Sequence, residues 1–107
     1  LQILQQLNRI LGAGEFEATA YTHAAPEGDI NGNGDGLTAT GLKVREGLIA
    51  VDPKVIPLGF KVWVEGFGVL LAADVGGSIQ GNRIDIFIED RRTAEKFKKK
   101  VRVVWYV

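Results

Sequence analysis

The chain has no cysteine and a single histidine among its 107 residues. Without thiols there is no disulfide framework, no thiolate nucleophile and no cysteine-built metal centre. The lone His23 lacks the companions that a zinc site needs, and it reads as an exposed loop residue. There is no surplus of either charge, since 13 basic residues balance 13 acidic ones. Phosphate neutralisation requires a basic surplus, so the balance argues against nucleic acid as the main partner. No apolar run approaches the roughly 20 residues of a membrane-spanning helix. The first residue is Leu1 and no signal-like segment follows it. The expectation is a piece of a longer protein, a monomeric domain whose targeting information lies elsewhere.

Glycine, by contrast, is plentiful. Fourteen glycines, with neither collagen period nor low complexity, imply tight turns joining short strands. A length of 107 residues allows one domain with one modest core. Charge is unevenly spread. Residues 1–42 hold one basic residue, Arg9, against five acidic ones, whereas residues 91–102 hold seven basic ones. That run reads as the solvated face of a helix over residues 91–100, with attraction to an anionic polymer as the other reading.

Residues 1–11 place Leu1, Leu4, Leu7 and Leu11 at helical spacing, which predicts a short amphipathic helix. Gly12-Ala13-Gly14 then reads as a hinge, so residues 1–14 form an appendage and residues 15–107 the domain proper. From Glu15 the period becomes two, with Phe16, Ala18 and Ala20 alternating against Glu17, Thr19 and Tyr21. A long polar loop over residues 23–36 follows. Further strands are predicted over residues 48–51, 61–65, 69–73, 83–88 and 101–107. Short strands, few helices and glycine-rich turns favour a mainly β closed barrel over an open sheet.

The chemistry-bearing stretch runs from Leu71 to Phe87. Asp74 ends an apolar strand and enters the Gly76-Gly77 turn, while Asp85 alternates with Ile84 and Ile86. If the isoleucines face the core, Asp85 and Phe87 line the outer wall. A carboxylate set beside an aromatic and facing a second carboxylate acquires a raised pKa, as a general acid near neutral pH requires. On spacing alone Asp74 is equally a turn cap and Asp85 an ordinary strand residue. Asp52, before Pro53, reads more simply as a turn start.

Four separated motifs occur in order: Ala-Thr-Ala-Tyr-Thr at 18–22, Thr-Ala-Thr-Gly at 38–41, Ile-Ala-Val-Asp-Pro through Ile-Pro-Leu-Gly at 49–59, and Ala-Ala-Asp-Val-Gly-Gly through Arg-Ile-Asp at 72–85. Together they resemble the three-aspartate, or 3D, domain of Gram-positive stationary-phase survival and cell-wall proteins. That domain is similar to the catalytic domain of the membrane-bound lytic transglycosylase A family. The resemblance, which leaves out the N-terminal helix, implies a double-psi β-barrel; motif order and strand alternation lead to the expectation of six strands with that helix packed outside. The resemblance also implies cleavage of the MurNAc–GlcNAc β-1,4 bond of peptidoglycan to a 1,6-anhydro end, at the cell wall or outside the cell, with no cofactor or metal. The three aspartates fall on Asp52, Asp74 and Asp85, of which Asp85 matches the family's acid/base. Thr19, Tyr21, Thr40, Gly41, Gly76 and Gly77 lie in matching motifs and become candidate sugar contacts.

Two features stand apart from the resemblance. Asp29, Asn31, Asn33 and Asp35, with Gly34, form the opening half of a calcium loop, but Thr40 occupies the twelfth position where glutamate is usual. A glycine-rich turn without metal is the preferred reading. Trp63 alternates with Val62 and Val64, and the pattern does not fix which side its ring takes. Two other functions fit the same residues: a wall-binding module that does not cut, and a hydrolase using two carboxylates and a water.

Overall fold

In a computed structural model, residues 10–22 and 36–107 are described. Six strands form: β1 (Ile10–Tyr21), β2 (Leu48–Ala50), β3 (Lys61–Val64), β4 (Gly68–Asp74), β5 (Arg83–Phe87) and β6 (Lys98–Tyr106), with one helix, α1 (Arg91–Lys96), between the last two. They close in the order β1-β5-β2-β4-β3-β6, with β6 returning to β1. The β1/β5 and β2/β4 pairs are parallel and the rest antiparallel. This is the closed, mainly β barrel that the strand pattern predicts, and closure leaves no strand edge unpaired.

Alternation decides what fills it. Phe16, Ala18, Val62, Val64, Ile84, Ile86, Val101 and Val103 point inward, each at most 2% exposed, and Trp105 packs against them. A second, smaller cluster lies on the outer wall: Tyr21, Val44, Ala50, Ile79 and Phe87. Val44 and Ile79 come from the loops before β2 and before β5, so those two loops are pinned over one patch of the barrel's outside.

Three sequence expectations change. Residues 10 and 11 belong to β1 rather than to a helix, and Gly12-Ala13-Gly14 is strand paired with Val103–Trp105 rather than a hinge. The reason is steric. A Cβ at Gly12 would lie 2.1 Å from the Trp105 ring, so glycine lets the indole cover the strand. Residues 1–9, the rest of the expected helix, lie outside the described residues, as do His23 and the loop over residues 29–35. The expected helix over 91–100 stops at Lys96. Phe97 adopts an extended backbone and packs edge-on against Phe67, with centroids 5.5 Å apart. Half-buried there, it ends the helix, and β6 begins at Lys98. No helix among the described residues is long and apolar enough to cross a membrane.

Candidate active site

The site is built from a cross-strand row on the outer wall. In the sheet register Thr19 of β1 pairs with Asp85 of β5, Asp85 with Ala50 of β2, and Ala50 with Asp74 of β4. Paired residues project to the same face, so Thr19, Asp85 and Asp74 share a wall with Ala50 between the two aspartates. Because Ile84 and Ile86 fill the core, alternation leaves Asp85 and Phe87 outward, as the sequence requires.

Asp85 is buried, with 8% of its surface exposed. The Thr19 hydroxyl donates to Asp85 Oδ1 at 2.9 Å. Burial pushes the carboxyl pKa above the usual aspartate range, and the Asp74 charge adds to the rise. The Thr19 hydrogen bond and the Arg83 guanidinium pull the other way, and desolvation prevails. Like charge, expected to be a main cause, is the weakest of the four.

Asp74 is fully buried. Its Oδ1 accepts the Ala39 amide at 3.0 Å and the Val75 amide at 2.9 Å. Thr40 holds the same loop to β4, since both its amide and its hydroxyl donate to the Ala73 carbonyl. Gly41, at φ +86°, turns the loop back, where its amide donates to the Thr38 carbonyl. Loop 36–44 is thus stapled across the Asp74 carboxylate.

Tyr21 lies two residues past Thr19 on the same face, and its ring meets Phe87 edge-on at 5.5 Å. Only 7% of it is exposed, and its hydroxyl has no hydrogen-bond partner among the described residues. Burial and the nearby negative charges of Asp74 and Asp85 raise the phenol pKa well above its ordinary value. The hydroxyl oxygen itself has almost no exposed surface, so the phenol packs beneath the site wall.

Asp52 does a different job. Its Oδ2 accepts the Gly81 amide at 2.8 Å and its Oδ1 the Lys54 amide at 3.0 Å. These two bonds hold its pKa below the usual aspartate range, which suits a charged anchor and not a proton donor. The anchored segment is the turn that carries Gly76, Gly77 and Ile79. Within it the Gly76 carbonyl accepts the Ile79 amide, and the Gly77 carbonyl accepts the Gln80 side chain.

Sequence reasoning passed over Arg83, Ala39, Val44 and Ile79. Arg83 carried a signal, since it stands two residues before Asp85 on the same strand face. The other three act through a backbone amide or through loop packing, which no periodicity reveals. Among the described residues no group of three or more candidate ligands could hold a metal ion. The Trp63 ring points outward, 38% exposed, into a separate groove of about 400 Å³ shared with Glu15 and Arg102.

A model of the 3D domain matches residues 47–107, more than half of the chain. The chain belongs to the 3D domain family. Among curated relatives, the Cell wall-binding protein YocH of Bacillus subtilis (strain 168) is 45% identical over 87 residues, covering 78% of this chain and 29% of YocH. The Putative cell wall shaping protein YabE of the same organism is 48% identical over 69 residues, covering 61% of the chain and 17% of YabE. This 3D domain chain therefore spans less than a third of either relative. Among solved structures it resembles MltA from E. coli, with a TM-score of 0.59 at 21% identity over 66% of this chain and 27% of MltA. It also resembles the lytic transglycosylase LtgG of Burkholderia pseudomallei, with a TM-score of 0.51 at 28% identity over 65% of this chain and 25% of LtgG. The six-stranded barrel is thus a fold shared with MltA.

Proposed function

We propose that this 3D domain is a peptidoglycan lytic transglycosylase that cuts the MurNAc–GlcNAc β-1,4 bond and leaves a 1,6-anhydro-MurNAc end. The observation that carries the reading is Asp85: a buried carboxyl on the outer wall of the barrel, aligned by Thr19 and with its pKa raised by desolvation. Such a group holds its proton closer to neutral pH than an exposed aspartate does. Asp85 gives that proton to the glycosidic oxygen as the C1–O bond breaks through an oxocarbenium-like state. The muramic C6 hydroxyl then bonds to C1, and its proton passes to the Asp85 carboxylate, which restores the acid.

No water is activated in this sequence, so a second basic carboxylate is not required. Asp74 suits the supporting part, because Oδ1 is already engaged by two backbone amides. Its negative charge stabilises the developing cation. Tyr21, Thr40, Gly41, Gly76 and Gly77 contact the sugar or shape the loops around it. Asp52 fixes the turn over residues 75–82. The names of YocH and of the lytic transglycosylase LtgG fit a place of action at the cell wall or outside the cell.

The words "cell wall-binding" in the name of YocH favour a second reading, in which the barrel holds the glycan without cutting it. Mass spectrometry of purified peptidoglycan after incubation separates the readings. Transglycosylation yields anhydro ends, hydrolysis yields reducing ends heavier by one water, and a binding module yields neither.

A further inference from the structure

The row that holds the aspartates does not stop at β1. On the other side of Thr19, strand β6 places Lys98 in register, so the row reads Lys98, Thr19, Asp85, Ala50, Asp74 across five strands. Strand spacing puts the Lys98 and Asp85 Cα atoms roughly 10 Å apart. A four-carbon stem can bring the ammonium to the rim of the site.

Lys98 differs from the other outward cations of β6. Lys100 stands opposite Glu17 and Arg102 opposite Glu15, whereas Lys98 stands opposite Thr19, whose hydroxyl is committed to Asp85. Lys98 is exposed, and no ion pair among the described residues engages it. The outward face of β6 thus offers a cation without a carboxylate opposite it at the position nearest the acid.

We infer that Lys98 is a specificity-determining residue that binds a carboxylate borne on the glycan's substituents, so that the site prefers acidic strands over neutral ones. The inference rests on the proposed glycan substrate. In peptidoglycan the free carboxylates of the stem peptide supply the anion, and a strand lying across Asp85 along the row carries them toward β6.

The test is equilibrium binding of the whole chain to soluble peptidoglycan strands with free stem carboxylates and to the same strands after chemical amidation. Wild type should prefer the free carboxylates by about tenfold, the scale of one charge-assisted hydrogen bond. The preference should shrink with added salt. Lys98→Gln should bring the ratio close to one, Lys98→Arg should restore it, and Lys61→Gln on β3 should leave it as in wild type. An unchanged ratio in a folded Lys98→Gln protein, or no preference in wild type, overturns the proposal. The catalytic reading fails separately: a preference that depends on Lys98, with no anhydro ends released, leaves this inference standing and removes the transglycosylase.

Discussion

Burying Asp85 has a cost that can be measured. Its folded pKa lies above the unfolded value, so the stability linked to it is fully present below the unfolded pKa, roughly 4, and is lost as pH rises through the folded pKa. Asp85→Asn removes that dependence while keeping the size of the group. The variant is expected to melt above wild type at neutral pH, with the gap closing toward pH 4, in thermal unfolding followed by circular dichroism. A variant that melts below wild type at every pH contradicts a carboxyl disfavoured by burial. Tyr21 gives a second test, because its buried hydroxyl has no partner among the described residues. A buried hydroxyl without a partner costs about 1–3 kcal/mol, so Tyr21→Phe should be as stable as wild type or more so. Glycan cleavage by the same variant should stay near the wild-type rate, because the hydroxyl has almost no surface open to a ligand. A fall in melting temperature with unchanged cleavage would make the hydroxyl a structural bond.

At the scale of elements, two loops turn a bare barrel wall into a site. Loop 36–44 is held to Asp74 and Ala73 through Ala39 and Thr40, and the turn before β5 is held by Asp52 through Gly81. Asp52→Ala leaves the Gly81 and Lys54 amides without their acceptor. It should loosen the turn that carries Ile79, with faster amide exchange at residues 76–81 and lower activity, while β1 and β6 stay protected. Loss of protection throughout would make Asp52 a residue of the whole fold. Strand order could not be read from the chain, but strand existence largely could: period-two alternation marked Phe16, Ala18, Ile84 and Ile86 as inward, and so placed Asp85 outward. The helix expected at the start misread the same chemistry. Leu11 satisfied a helical spacing, yet pairing with β6 claimed Ile10 onward, and Gly12 proved to be the floor beneath Trp105. A Gly12→Ala protein should lose about 1–3 kcal/mol to that clash, read from denaturant unfolding. The part of the site that was illegible depends on backbone amides and register. Nothing in one sequence announces that the Ala39 amide meets Asp74, or that Lys98 falls in line with Asp85.

At the scale of the molecule, the barrel is closed by its two outermost strands in sequence. The register of β1 on β6 runs from Ile10/Tyr106 to Thr19/Lys98, and β1 also carries Thr19 and Tyr21 into the site. Fold and function therefore share one strand, and the domain should unfold in a single cooperative step. The buried aspartates Asp74 and Asp85 and the exposed basic face of β6 lie on either side of β1 in a chain of zero net charge. That arrangement places Asp74, Asp85 and Lys98 along one row.

The most direct measurement is the mass of the muropeptides released from purified peptidoglycan by wild type and by folded Asp85→Asn. Wild type should release 1,6-anhydro products, and the variant should lose at least ~10²-fold, the scale of a missing general acid. Anhydro products released by Asp85→Asn at the wild-type rate, or products from wild type carrying reducing ends gained with water, would contradict the proposed mechanism.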